Sequence, residues 1–152
     1  MAVSLVPKFS KEQIKREVRA WKKRVENALI LNMKAAGEQF IISVRNNNTY
    51  QDRTGNLRSS TGYIIMKDGR QLFQDYETLP GPDGSGKEGT RAAKRVIREA
   101  SKRFPRGFVL IGVAGMDYAA AVEAKGFDVI SNGAIEAEAA LKAAVRRLTK
   151  KA

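Results

Sequence analysis

One hundred and fifty-two residues, 43% hydrophobic and 29% charged, suit a single domain with a real core. Cys and His are both absent, which excludes disulfide frameworks, Ser/His and Cys/His triads and the common zinc and haem ligand sets, leaving carboxylate, Lys, Tyr or Ser chemistry. The net charge of +12 draws such a body toward nucleic acid or an acidic protein surface, and without a membrane-length apolar run or a signal-peptide apolar region the expectation is a protein made and used in cytosol.

Residues 1 to 9 show no periodicity and Pro7 argues against helix, so they read as an arm. From Ser10 to Asn46, apolar residues recur at steps of three or four: Ile14, Val18, Trp21, Val25, Leu29, Met33, Ala36, Phe40 and Val44 form one stripe. Ser10 is placed to cap the first turn with Gln13 reaching back to it, and Asn46, Asn47 and Asn48 end the pattern. Such a helix is roughly 55 Å long, whereas a compact chain of this size is only about 38 Å across. It must therefore bend, with Gly37 the obvious place, or bury part of its stripe against another subunit. Lys11, Lys15, Arg16, Arg19, Lys22 and Lys23, offset by Glu12, Glu17 and Glu26, read as a solvated helix face.

Asp52, Thr54, Gly55 and Asn56 then form a turn with Leu57 as its apolar anchor, Thr54 placed to cap a short helical turn through Ser60. Gly55 permits a tight turn, and Arg58 is placed to reach carbonyls or a carboxylate such as Glu123. Thr61 to Lys67 and Arg70 to Tyr76 read as a hairpin about Asp68 and Gly69. Its two-residue register puts Ile64, Met66 and Phe73 on one face and Tyr63, Ile65 and Leu72 on the other. One face can cover the long helix; the other needs a second cover, from this chain or a partner.

Leu79 to Gly89 reads as a loop. Gly81 to Lys87 nearly spells a phosphate-binding loop, but Glu88 stands where Ser or Thr should hold magnesium and Asp83 would repel a phosphate, so a flexible Gly-rich connection is the better reading. Thr90 to Phe104 reads as a helix, with Ala93, Ile97, Ala100 and Phe104 on one side and a basic stripe of Arg91, Arg95, Arg98 and Lys102 on the other. Pro105 and Gly107 stop it, and Phe108 to Val113, the most apolar run, reads as a central strand. Residues 116 to 126 read as turn and short extended or helical structure, with Tyr118 and Val122 as core packing, and Phe127 to Ile130 as a short strand. Asn132 is expected to cap a last helix to about Leu148, with Ala134, Ala137, Leu141, Val145 and Leu148 facing the core.

The predicted fold is α+β, one domain over residues 1 to 152: a long N-terminal helix packed on a small, mostly antiparallel β-sheet, with a C-terminal helix and a basic helical insertion at residues 79 to 107. The charge is uneven, +7 over residues 1 to 60, +5 over 80 to 107 and +3 over 136 to 152, with slightly acidic segments between. Aspartates stand singly, so neither a metal nor a cofactor site is expected.

Two motifs add a resemblance. Residues 53 to 60 read Arg-Thr-Gly-Asn-Leu-Arg-Ser-Ser, and residues 117 to 126 read Asp-Tyr-Ala-Ala-Ala-Val-Glu-Ala-Lys-Gly. Behind a long N-terminal helix, this order resembles the tail-completion or head-tail joining proteins of long-tailed bacteriophages, over roughly residues 10 to 148. The family pattern falls on Thr54, Gly55, Leu57 and Arg58, and on Tyr118, Val122, Glu123 and Gly126. The chain departs from it at Ala124, Lys125 and Phe127, and residues 80 to 106 look longer than usual. The resemblance implies a structural virion protein of six or twelve copies in a ring at the neck, joining filled head to tail beside portal, connector and tail tube proteins. It implies binding and assembly without catalysis, cofactor or membrane. The basic stripe then lines a lumen toward DNA phosphates or docks on acidic partner surfaces. The competing expectation is a small basic protein that binds nucleic acid without sequence preference.

Overall fold

A computed structural model describes residues 8–46, 52–115 and 131–150. The elements are α1 (Lys11–Asn46), α2 (Asn56–Ser59), β1 (Thr61–Lys67), β2 (Arg70–Tyr76), α3 (Lys87–Ser101), β3 (Phe108–Ala114) and α4 (Ser131–Lys150). The arrangement is α+β, with a long N-terminal helix, a three-stranded antiparallel sheet and a C-terminal helix.

The capping residues of α1 act as their spacing predicts. The Ser10 amide donates to Gln13 Oε1 at 2.7 Å, and the Gln13 amide to Ser10 Oγ at 3.1 Å. The helix is unbroken through Gly37, which serves packing. A methyl group there would overlap the ring of Tyr63, whose side chain is fully buried against the helix.

Among the described residues the sheet order is β2, β1, β3, both pairings antiparallel. Among the described residues β1 is the middle strand, and β3, where a central strand was expected at Phe108 to Val113, pairs with β1 alone. The apolar run of β3 has a different cause. Phe108 and Leu110 pack beneath the cluster of α1 and α4, while Ile111 and Val113 pack toward α3, so both faces are covered.

The hairpin register is corrected too. Ile65 pairs with Phe73 and Met66 with Gln71, leaving Leu72 as the extra residue of a bulge. The bulge moves Phe73 onto the face of Tyr63 and Ile65, where the two rings stand 5.7 Å apart, and turns Leu72 outward. That face forms the larger core with Met33, Phe40, Ile41, Val44 and Ala137. Ile64 and Met66 point the other way, onto Ala93 and Ile97 of α3, so this chain supplies the second cover itself. The sheet lies between α1 with α4 and α3.

α4 runs antiparallel to α1. Gly133 meets Val44 and Phe40, Gln39 bonds Glu136 at 3.5 Å, and Ala144 and Arg147 line one groove with Asn32 and Ala36. Its buried residues are Gly133, Ala137 and Ala144, whereas Ala134 and Val145, expected inward, are exposed. The helix begins at Ser131, so Asn132 lies inside it, and α3 covers Lys87–Ser101 where Thr90 to Phe104 was expected.

Candidate interaction surfaces

The first candidate is the turn carrying Thr54, Gly55, Leu57 and Arg58. Gly55 precedes α2 with φ of 73°, and a side chain there would overlap the carbonyl oxygen of Leu79. Leu57 is buried. The expected cap, Thr54, contributes only a 3.3 Å bond from the Asn56 amide. The capping work is done by Asp52, whose carboxylate accepts from the Leu57 amide at 3.4 Å and the Arg58 amide at 2.8 Å. Arg58 Nε also meets Asp52, at 3.4 Å. Among the described residues Asp52 is therefore the carboxylate that holds Arg58.

This turn is locked to the Gly-rich loop. The Asp83 amide donates to the Arg53 carbonyl at 2.8 Å and the Gly86 amide to the Thr54 carbonyl at 3.1 Å. Ser59 Oγ donates to the Leu79 carbonyl at 2.9 Å and accepts from the Leu79 amide at 2.7 Å. Asn56 accepts from the Gly89 amide at 3.3 Å, and Arg53 pairs with Asp83 at 2.9 Å. The loop is thus a brace, where a flexible connection was expected. The amides of Gly81, Asp83, Gly84 and Gly86 all bond within the protein, so these four are not free to cradle a phosphate.

By fixing the start of α3, the brace also aims the second candidate. Ala93 and Ile97 face the sheet, which leaves Arg91, Arg95, Arg98 and Lys102 exposed with Lys94 beside them. Lys102 is shared with Glu99 at 2.8 Å, and Glu99 is held below the usual carboxylate range by that bond. The surface is a basic ridge, with Lys94 and Arg98 also lining a groove against Gln71, Gln74 and Tyr76 of β2, fit for a polyanion or an acidic face.

The third candidate is the free part of α1. Its apolar stripe is buried from Met33 onward and half-buried at Val25 and Leu29, yet Ile14 is 46% exposed, Val18 56% and Trp21 46%. The Glu26 to Lys67 ion pair, at 2.9 Å, ties α1 to the hairpin end. On the helical rise α4 runs out near Val25, so about fourteen residues, roughly 20 Å, extend past it. Helix length raises two expectations; the helix passes unbroken through Gly37, and its N-terminal stretch extends past α4.

The remaining motif residues, Tyr118, Val122, Glu123 and Gly126, lie outside the described residues, as does the strand expected at Phe127 to Ile130. Sequence reasoning placed Asp52 and Asn56 in the turn and Ser59 in the motif but missed their capping and bracing roles. Their short polar side chains beside a Gly-rich turn were the available signal. Among the described residues no three acidic side chains converge as metal ligands, and no helix is long and apolar enough to cross a membrane. An apolar cavity of about 290 Å³ between β3, α1 and α4 is lined by Met33, Phe40, Tyr63, Leu110 and Leu141 with few polar groups.

No family model, curated protein or solved structure matches this chain.

Proposed function

We propose that this protein is a structural component of a tailed-bacteriophage virion, a ring-forming tail-completion or head-tail connector protein at the neck that joins the DNA-filled head to the tail. The observation that carries the assembly part of this reading is the N-terminal half of the α1 stripe: Ile14, Val18 and Trp21 stand about half exposed on a stretch that extends past α4. Monomeric proteins seldom leave such a row bare, and a neighbour in an assembly supplies the cover. The motif at Thr54, Gly55, Leu57 and Arg58 supports the same reading through its resemblance to that family, and its brace suits a rigid building block. The work is binding and assembly, with no catalysis, cofactor or metal. Its partners are further copies in a hexameric or dodecameric ring, portal or connector proteins and tail tube proteins, with non-specific DNA contact in the lumen and none with membrane.

Imaging purified virions for a ring of this mass at the head-tail junction, with mass measurement of the protein alone and with its neck partners, tests the reading. Absence from the particle overturns it. The second reading, a sequence-independent nucleic-acid binder, draws on the exposed ridge of α3. It requires a monomer or dimer that binds duplex with steep salt dependence and loses that binding when Arg91, Arg95, Arg98 and Lys102 become Gln.

A further inference from the structure

The free stripe of α1 continues the side of the helix that receives α4. Steps of three and four lead from Ile14, Val18 and Trp21 through Val25 to Asn32, Ala36 and Gln39, and these last three line the groove with Ala139, Ala140 and Ala144 of α4. The helix thus presents one seam: α4 fills its C-terminal half, and the N-terminal half is open for another helix in the same manner. Lys11, Lys15 and Lys22 run along one edge of the open half, Lys15 holding Glu12 at 3.0 Å, and Glu17 and Arg24 stand along the other edge.

Charge decides what fills it. A second copy laid antiparallel in the seam, as α4 lies on α1, would bring these lysines against their own kind in a chain of net charge +12. Seven of its sixteen acids, moreover, are already held within the chain. Glu12, Glu26, Asp52, Glu77, Asp83, Glu99 and Glu138 are each paired with a Lys or Arg of the same chain. We infer that the open seam receives an acidic amphipathic helix from a different protein, its apolar face on Ile14, Val18 and Trp21 and its carboxylates along Lys11, Lys15 and Lys22. The inference deepens the assembly reading and rests on it only for where such a partner is found. It assigns this seam to a hetero-partner and leaves the contacts between copies to other surfaces.

Trp21 is the only tryptophan of the chain, so its emission reports the seam directly. The probes are two synthetic helical peptides of 21 residues with the same leucine heptads, one flanked by Glu and one by Lys, titrated into the full-length protein. The Glu-flanked peptide is expected to shift Trp21 emission to the blue and to bind at least tenfold tighter than the Lys-flanked one, an advantage that shrinks with salt. Val18→Glu should weaken it tenfold or more, and Lys15→Glu with Lys22→Glu should reverse the preference while leaving the melting curve in place. Equal binding of both peptides overturns the inference. So does a blue-shifted Trp21 with dimer mass for the protein alone at low salt, which would make a second copy the occupant, and so does displacement of the peptide by duplex DNA. A virion lacking the protein sinks the neck reading but leaves these results standing, so the two failures are distinguishable.

Discussion

At the scale of residues, the sharpest test is Gly37→Ala. In an exposed helix this change adds about 1 kcal/mol of stability through propensity. Here the new methyl meets the Tyr63 ring, which is fully buried and fixed by its hydroxyl donating to Glu38 at 2.7 Å. Overpacking of this kind costs about 1 to 3 kcal/mol, so the net expectation is a lower melting temperature, and a rise would show that the ring can move aside. The same corner carries a pH dependence. Burial, then the neighbouring Glu38 carboxyl, raises the Asp75 pKa above its ordinary value, with Glu77 adding to the shift and the Arg45 guanidinium opposing it. Tyr63 is raised as well, by burial and then by Glu38. An acid whose pKa rises on folding stabilises the fold below its unfolded pKa, and that contribution is lost as pH climbs through the folded value. Thermal melts should therefore show a stability loss just above the ordinary Asp range that Asp75→Asn abolishes; an unchanged pH profile in that variant would refute the assignment. Little of this was legible in sequence. Gly37 was noticed as a possible bend because propensity sees only the helix, whereas its role comes from a ring 26 positions away.

Elements were more legible than their pairing. The period of α1, the Asp68-Gly69 turn and the basic stripe of α3 follow from spacing alone, and each is found near its expected bounds. What spacing misses is the single-residue insertion at Leu72, which exchanges the faces of β2, and the place of β1 between β2 and β3 in the described sheet. Both are settled by packing across the sheet, which no local pattern records. The candidate site divides likewise. Arg91, Arg95 and Arg98 could be placed on an outer face from helical period, but the brace that aims them joins residues twenty or more apart. Ser59→Ala tests that brace. The buried hydroxyl serves both the amide and the carbonyl of Leu79, and leaving those groups unpaired costs about 1 to 3 kcal/mol. Faster amide exchange at Leu79 and Gly86, with a melting temperature a few degrees lower, is the expected result. Native exchange at both amides would mean that the loop holds its place without the hydroxyl.

For the whole molecule, the question is whether stability and assembly reside in separate parts of one helix. The C-terminal half of α1 carries the core: Met33, Phe40, Ile41 and Val44 are buried with Tyr63 and Ile65, and truncating any of them should cost about 2 to 5 kcal/mol. The N-terminal half has Ile14, Val18 and Trp21 about half in water already, so replacing each with Gln gives up little buried area and changes stability by only about 0.5 kcal/mol. A triple variant, Ile14→Gln, Val18→Gln and Trp21→Gln, is therefore expected to melt within a few degrees of the parent while failing to enter assembled particles. A row of bare side chains retained by a structure that does not need them is what an assembly surface requires. Two measurements on the same variant separate the possibilities: a large drop in melting temperature would mean that the stripe is covered within this chain, and normal incorporation would mean that the rod's apolar face takes no partner.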